Sequence, residues 1–269
     1  MAYLQSIGRL IIFGRIKAET GLHIGSLSPG LQVGGIDLPV IRNPLSSQPF
    51  IPGSSLRGKI RSLLERHFNL ALNKEIQNIK IHECKKYEEY KCCPVCPIFG
   101  VSVDVVEEYE KDSESENKTF LSRLVVRDAL LNPDSADELK EKKTDLPFTE
   151  AKLEITVDRI TAQAVPRTVE RVPAGAFFDF EMVFNLFEEN DQNLFKNVLL
   201  GMRLLEDDYL GGHGSRGSGR IKFRDVSVSL RRPKYYENKE PEIKLSEPQT
   251  IARLQKIDWV KEIQNLKEI

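Results

Sequence analysis

The sequence has no apolar run long enough to cross a bilayer, and its charges nearly balance, with a formal net charge of −1 at pH 7. A transmembrane helix needs about 20 consecutive apolar residues, so the membrane-spanning classes are excluded. The first residues lack the pattern of a secretory signal peptide, so a cytoplasmic location is the default expectation. Because there is no overall basic field, any nucleic-acid partner would have to be bound by local basic patches.

Cysteine is also scarce, since the 269 residues include four, all between positions 84 and 96. A disulfide framework would be more spread out, whereas such a cluster indicates a metal site. His82-x-Cys84 and Cys93-x-x-Cys96 are two short ligand pairs that predict a closed, tetrahedral structural zinc site. Cys92 is then the spare thiol, and the alternative is a set of cysteines without metal. A zinc deaminase is excluded, because its glutamate and proline would stand at other positions of the motif.

A predicted helix begins after Pro52-Gly53, with apolar residues at helical spacing from Leu56 to Phe68. A serine can cap its first free amides, and basic side chains lie in its first turns. Free amides, the positive end of the helix dipole and basic groups together suit a phosphate. The alternative is an ordinary capped helix with a solvated basic face. A nucleotide-binding P-loop is excluded because Ile60 stands where a metal-binding hydroxyl is required. The candidate phosphate contacts are Ser54, Ser55, Arg57, Lys59 and Arg61.

An isolated carboxylate, Asp37, follows the Gly34-Gly35 pair in the loop before this helix. Farther along, residues 150–187 contain two β-rich runs around a middle segment stiffened by prolines, which predicts a long hairpin. Its arginines, Arg159, Arg167 and Arg171, suit an RNA strand, because guanidinium groups hold phosphates. The alternative is an edge hairpin whose arginines pair with Glu154, Asp158 and Glu170.

The stretch 211–219 contains five glycines in nine residues and includes Ser215 and Arg216. Glycines allow backbone amides to approach a phosphate closely, so this loop is a second candidate for contact with an RNA backbone. His23 lies in a predicted turn, where a histidine is most often solvated and less often an RNA contact.

Periodicity and charge predict the structure of the other segments. Residues 9–18 and 121–130 are predicted strands, residues 193–206 a helix, and the end of the chain a docked helix. The acidic stretch 104–118 is predicted to be a mobile surface loop, and 132–148 a charged loop. Asp128 is interpreted first as a structural acid that is satisfied by Arg127 or another neighbour.

Taken in order, these motifs resemble those of the RAMP superfamily of CRISPR proteins, and most of all the third subunit of the Csm effector complexes. The resemblance spans roughly residues 8–230. It implies an α+β fold with a ferredoxin-like core, also described as RNA-recognition-motif-like and called the palm. The core carries large insertions, including a zinc-bearing helical insert at about 69–120 and a β-hairpin thumb at about 150–176. Residues 1–231 would then form one domain, and 232–269 a C-terminal extension.

The resemblance also implies a function in antiviral defence. Copies of such a subunit stack head to tail along a guide crRNA in a type III-A complex, beside other Csm subunits, and cleave complementary target RNA at regular intervals. Asp37 matches the catalytic acid of this family of metal-dependent endoribonucleases, which either holds Mg²⁺ or accepts the proton of the neighbouring 2′-hydroxyl. The alternatives are a backbone subunit that binds RNA without cutting it, and a guide-processing nuclease for which His23 would be the acid or base.

Overall fold

A computed structural model describes residues 6–26, 37–111, 119–142, 144–188 and 190–264. The Gly34-Gly35 pair lies outside the described residues, as do residues 112–118 of the acidic stretch.

A mixed α/β architecture is built around a long antiparallel sheet whose strands are in the order β11-β10-β1-β9-β6-β2, with β5 also paired to β9. The central strand, β1, largely alternates, so that Leu10, Ile12 and Ile16 are fully buried on one face, although Ile11 on the other face is buried as well. The strands of this sheet are β1 (Gly8–Ala18), β2 (Phe50–Ile51), β5 (Leu124–Val126), β6 (Ala129–Leu131), β9 (Phe177–Leu186), β10 (Ile221–Arg231) and β11 (Ile243–Lys244).

Two long helices, α1 (Gly53–His67) and α6 (Asp191–Asp207), are amphipathic, with apolar faces in the main core, and they pack against each other. Their close approach requires a glycine, because a Cβ atom on Gly201 would lie 2.5 Å from Cγ2 of Ile60. In chain order, the core consists of β1, α1, the two short strands β5 and β6, β9, α6 and β10. Both long helices are connected to strands of the same sheet.

The segment between α1 and β5 forms a small insert that carries all four cysteines. It contains the hairpin β3–β4 (Lys74–Ile76 and Ile79–Ile81) and the short helices α2 (Tyr87–Cys92), α3 (Cys96–Phe99) and α4 (Val103–Tyr109). An aromatic cluster stabilises it, in which the ring of Tyr109 lies 5.6 Å from that of Tyr90 and 5.3 Å from that of Phe120.

Strands β7 (Glu150–Val157) and β8 (Ala164–Arg171) form a separate antiparallel hairpin. Directly paired residues share a face, so the pairing places the charged side chains on one face and leaves the other largely apolar. The exposed apolar side chains of the hairpin are Leu153, Ile155, Val157, Ile160 and Val165.

The end of the described chain packs on the body through α7 (Ile251–Leu254) and α8 (Trp259–Gln264). Trp259 is fully buried, its ring lies 5.1 Å from that of Phe195, and its indole N–H donates to the Leu254 carbonyl oxygen at 3.0 Å. The expected docking of the C-terminal helix on the body is thus observed.

Two loops expected from the sequence are in part helical. Residues 103–109 form α4, because Val105 and Tyr109 have buried positions to fill despite the acidic residues between them. Residues 133–141 form α5 (Pro133–Glu141), whose first turn is capped by the side chain of Asn132. Charge density concealed the helical periodicity in both stretches.

Within the described residues, no helix is long and apolar enough to cross a membrane.

The Trp259 contact generates a stability prediction. Trp259→Ala should lower the free energy of unfolding by about 3–5 kcal/mol, because it removes a fully buried aromatic side chain and leaves a cavity. Urea denaturation of the full chain measures this loss. Tyr236→Ala is the control, since that ring is half exposed and should change stability by about 1 kcal/mol at most. Equal losses in the two variants would mean that α8 is not part of the cooperative core.

Candidate nucleic-acid interface and metal centre

The four predicted metal ligands, His82, Cys84, Cys93 and Cys96, meet in one buried cluster. Their ligand atoms all lie within 4.8 Å of one another. The Nε2 atom of His82 is 3.4 Å from the Sγ atoms of both Cys84 and Cys93. Cys92 is exposed and lies outside the cluster. One nitrogen and three sulfurs at this separation could hold a metal ion with tetrahedral coordination.

Backbone and histidine contacts orient these ligands. The Nδ1 atom of His82 is 3.0 Å from the carbonyl oxygen of Ala71, which directs Nε2 toward the sulfurs. The backbone N–H groups of Val95 and Cys96 donate to the Cys93 sulfur at 3.4 and 3.3 Å. The thiols crowd one another, so hydrogen bonding with its neighbours raises the pKa of Cys84 and lowers that of Cys93. The two backbone N–H groups stabilise the Cys93 thiolate, the form in which a cysteine binds a metal.

The basic residues of α1 bind within the protein rather than extending into solvent. Arg57 donates to the Phe99 carbonyl oxygen at 2.5 Å, and Arg61 donates to the His82 carbonyl oxygen at 2.7 Å, so both tie the helix to the cysteine insert. The ammonium of Lys59 lies 3.3 Å from Asp208 and 3.8 Å from the centre of the Tyr209 ring. A solvated basic face is therefore the wrong description of this helix start.

The expected serine cap of α1 is also wrong. The N-cap position is Pro52, and no side chain caps the helix from there. The backbone N–H of Gly53 donates instead to the Asp128 carboxylate at 2.7 Å, which places a negative charge at the positive end of the helix. A Cβ atom on Gly53 would lie 2.3 Å from the Val126 carbonyl oxygen, so only glycine fits there. Asp128 is thus structural, although its partner is Gly53 and not Arg127.

Asp37 is exposed and is held against the hairpin. Its Oδ2 atom accepts a hydrogen bond from the backbone N–H of Thr168 at 2.8 Å, and the next residue, Leu38, forms a parallel bridge to Val169. Among the described residues, no other side-chain hydrogen bond of Asp37 is found. One carboxylate oxygen is therefore fixed by β8, while the group remains open to solvent.

Glu170 joins the Asp37 segment to the base of the hairpin. Its buried carboxylate accepts from the Val40 N–H at 2.8 Å, from Thr149 Oγ1 at 2.6 Å and from the Arg42 guanidinium at 2.5 Å. Its own backbone N–H donates to the Leu38 carbonyl oxygen at 3.0 Å. Glu170 therefore holds the chain at Leu38 and Val40, directly after Asp37.

His23 is buried and not solvated. Its Nδ1 atom lies 2.7 Å from the Glu170 carbonyl oxygen, and its ring is 5.2 Å from that of His213. With a side chain packed beneath the glycine loop, His23 acts as a spacer between that loop and the hairpin. Its burial argues against a direct RNA contact.

The hairpin meets the glycine loop at Glu154. The Oε2 atom of Glu154 is 3.2 Å from both Arg167 and Arg216 and 3.4 Å from Nδ1 of His213. Burial alone would raise the pKa of Glu154, but the Arg167 hydrogen bond and the surrounding cations outweigh it and lower that pKa. Burial lowers the pKa of His213, although the nearby Glu154 carboxylate acts in the opposite direction.

The remaining candidates lie along this same surface. Arg171 pairs with Glu150 at 2.5 Å, Arg159 is exposed at the hairpin turn, and Ser215 is exposed in the glycine loop. The expected pairing of hairpin arginines with acidic residues is correct for Glu154. It is wrong for Glu170, which binds Arg42, and for Asp158, which accepts the Ile160 and Thr161 N–H groups in the turn.

Two separate groups result. Asp37, the hairpin arginines and the glycine loop form one continuous surface, while the helix start and the cysteine cluster form a second unit held together by Arg57 and Arg61. The sequence motifs gave no indication that Glu170 and Glu154 connect these elements, because their partners lie up to 130 residues away in the chain.

The comparison with protein families assigns the chain. The model of the RAMP superfamily matches residues 15–222. The chain belongs to the RAMP superfamily. Its relatives within the superfamily include the CRISPR system Cms endoribonucleases Csm3 of Methanocaldococcus jannaschii and Methanothermobacter thermautotrophicus. The first is 42% identical over 243 residues, covering 89% of this chain and 88% of the relative, and the second is 37% identical over 248 residues, covering 90% and 94%.

Solved RAMP structures share the fold. The crystal structure of a Csm3–Csm4 subcomplex of a type III-A CRISPR-Cas interference complex contains a chain with 33% identity and a TM-score of 0.58, with 99% of this chain and 98% of that one covered. The Csm3 structure of Methanopyrus kandleri has a TM-score of 0.59 at 22% identity, with 97% of each chain covered, and supports the fold alone. The resemblance to Csm3 proteins expected from the motifs is confirmed.

The Glu170 network generates the next prediction. Glu170→Ala should lower the free energy of unfolding by about 3 kcal/mol, because the Val40 N–H, Thr149 and Arg42 all lose their acceptor. Glu150→Ala, on the same hairpin but partly exposed, should cost about 1 kcal/mol or less. Chemical denaturation of both variants measures the difference. Similar small losses would show that water replaces the Glu170 carboxylate without cost.

Proposed function

We propose that the chain is a backbone subunit of a type III-A CRISPR effector complex, which binds guide crRNA and cleaves complementary target RNA. The observation that carries this proposal is the exposed Asp37 carboxylate, fixed on a hairpin that bears arginines, in a chain whose Csm3 relatives are named endoribonucleases. Relatives 34–42% identical over at least 80% of this chain support the transfer of function.

The palm of this subunit would be a ferredoxin-like core within residues 1–231, with 232–269 as its extension. The sheet order β10-β1-β9-β6 and the two long helices in its connections support that description. The thumb would be the β7–β8 hairpin, whose exposed apolar face and turn are suited to wedging between bases. Insert 69–120 would be a separate lobe held by metal.

The RNA path would follow the surface that joins the hairpin to the glycine loop. Arg159, Arg167 and Arg171 would contact phosphates along the hairpin, and Ser215 and Arg216 would do so from the glycine loop. At the helix start, the exposed Ser54 and its neighbour Ser55 remain available. Arg57, Lys59 and Arg61 would support that contact indirectly, because each is already paired within the protein.

Cleavage would be a phosphoryl transfer within the target strand. The 2′-hydroxyl oxygen attacks the neighbouring phosphorus, the bond from phosphorus to the 5′-oxygen breaks, and a cyclic phosphate and a 5′-hydroxyl result. Asp37 either accepts the proton of the 2′-hydroxyl or binds a divalent ion beside the scissile phosphate. Base pairing with the guide, rather than side-chain contacts, would select the target.

A single exposed carboxylate suits a Mg²⁺ ion that is also bound by phosphate and water, rather than a metal held entirely by protein ligands. Among the described residues, Asp37 belongs to no group of three or more His, Cys, Asp and Glu side chains able to hold a metal, so the protein alone does not form a closed site around it. Mg²⁺ commonly binds through one carboxylate together with phosphate and water, and it would supply charge neutralisation at the phosphate. Asp37 would be the protein ligand.

The metal of the cysteine cluster would be structural Zn²⁺ bound by His82, Cys84, Cys93 and Cys96. The donor set of three thiolates and one imidazole is that of closed zinc sites and leaves no open position for chemistry. Metal binding would stabilise the insert and, through the Arg61 contact to the His82 carbonyl oxygen, the start of α1.

Partners follow from the same assignment: guide crRNA, target RNA, further copies of this chain arranged head to tail, and other Csm subunits. The Csm3–Csm4 subcomplex structure supports the last of these. The guide-processing alternative depended on His23, and the burial of that side chain counts against it.

Asp37→Asn should reduce target cleavage at least about a hundredfold while target binding is unchanged, because the carboxylate acts on the reacting groups and not on the guide duplex. Labelled complementary RNA, incubated with the assembled complex and Mg²⁺, measures both. Asp137→Asn, an exposed acid on α5, is the charge-matched control. Unchanged cleavage by Asp37→Asn would leave a subunit that binds RNA without cutting it.

The purified chain should contain about one equivalent of zinc. Cys96→Ser should lose the metal and lower the thermal midpoint of unfolding, whereas Cys92→Ser should keep both, because Cys92 lies outside the cluster. Elemental analysis and calorimetry provide these readouts. A wild-type chain that holds its stability with no zinc would refute the structural metal.

A further inference from the structure

Glu154 is the single acid in a cluster of cations that come from three parts of the chain. Lys152 lies on β7, Arg167 lies on β8, and Arg216 and His213 belong to the glycine loop. The Lys152 ammonium is 3.6 Å from Oε1 of Glu154, while both arginines are 3.2 Å from Oε2. Three permanent positive charges therefore share one carboxylate.

That carboxylate does not satisfy the cluster. Within the described part of the chain, Oε1 of Glu154 and Nε of Arg167 are buried and have no hydrogen-bond partner. An unpaired guanidinium N–H beside a shared acid is costly in a protein. A phosphate offers more acceptor oxygens than a carboxylate, and guanidinium groups bind it through two donors.

The cations are accessible from outside, whereas the acid is not. The side chain of Arg216 is 53% exposed and that of Arg167 34%, compared with 10% for Glu154. An anion that arrives from solvent can thus reach the outer side of the guanidinium groups, with Glu154 behind them.

We propose that Glu154 is an internal counter-ion that competes with an RNA phosphate for the same two arginines, Arg167 and Arg216. In the absence of RNA it pairs with Arg167 and Arg216 and holds the glycine loop against the hairpin. When RNA binds, a backbone phosphate replaces the carboxylate as the main partner of Arg216. The inference rests on the proposed RNA-binding function and adds that Glu154 competes with the RNA for the arginines.

This competition lowers the affinity for every RNA and favours RNA that is also held elsewhere. A strand retained by pairing with the guide, or by neighbouring copies, has enough other contacts to displace the carboxylate. A strand that touches this cluster alone does not. Glu154 therefore acts as a specificity-determining residue against nonspecific binding.

The test is the binding of a fluorescein-labelled oligo(U) by the full chain, followed by anisotropy over a KCl series. Glu154→Gln keeps the shape and removes the charge. It should raise the affinity roughly two- to fivefold, the range expected for a partly exposed ion pair. The slope of log K against log salt should become steeper by about 0.7, as for one more phosphate neutralised on a single strand.

Glu138→Gln is the matched control, because it removes one negative charge from an exposed helix, α5, where Glu138 pairs with Lys142. An equal gain in both variants would overturn the proposal, since net charge alone would then explain it. Unchanged affinity in Glu154→Gln would also overturn it. Arg216→Ala should abolish most of the gain, because the released cation is then absent.

Different outcomes would refute the proposed RNA interface and the proposed counter-ion. If wild type does not bind oligo(U) at the lowest salt, or if Arg216→Ala binds as well as wild type, the proposed RNA interface itself is wrong. If Arg216→Ala weakens binding but Glu154→Gln does not strengthen it, the interface stands and the counter-ion is refuted. Glu154→Asp keeps the charge and should retain the wild-type salt slope, which separates loss of charge from loss of folding.

Discussion

The pairing of β1 with β9 on one side and β10 on the other is the constraint on which the rest of the molecule depends. Both neighbours are antiparallel and follow β1 over almost its full length. Because β9 begins at Phe177, the chain between residues 19 and 176 is inserted between two neighbouring strands, and it returns to the sheet at the short strands β2, β5 and β6. The cysteine insert, Asp37 and the hairpin all belong to that excursion, so a rigid sheet supports parts that are otherwise free to vary.

Three carboxylates at the base of the hairpin show how environment determines the use of one chemical group. Glu170 is buried, fully paired and joins two chain segments. Glu154 is nearly buried but shared among too many cations. Asp37 is exposed, with one oxygen fixed by the Thr168 N–H. From Glu170 through Glu154 to Asp37, the acids change from fully paired groups that hold the fold to a carboxylate that is open to solvent.

Some patterns of local spacing were predictive, although the helices α4 and α5 and the cap of α1 were missed, whereas pairing between distant residues was not predictable. The ligand pairs around Cys84 and Cys96 and the alternation in β1 depend on neighbours a few residues apart, so they predicted a cluster and a strand that the structure contains. The capping of α1 by Asp128 depends on a partner 75 residues away, and no local pattern could assign it. The basic residues of α1 misled for the same reason, since their acceptors belong to the insert and to the loop after α6.

The hairpin carries most of its charges on one face and leaves Leu153 and Ile155 60% exposed on the other. A free chain that displays such a strand pair in water presents a ready template for self-association. The solubility of the chain then depends on its assembly, because a partner that covers this face also prevents self-association. Chains made in excess of the partner that covers this face would be the first to aggregate, so the hairpin couples the supply of the protein to the supply of that partner.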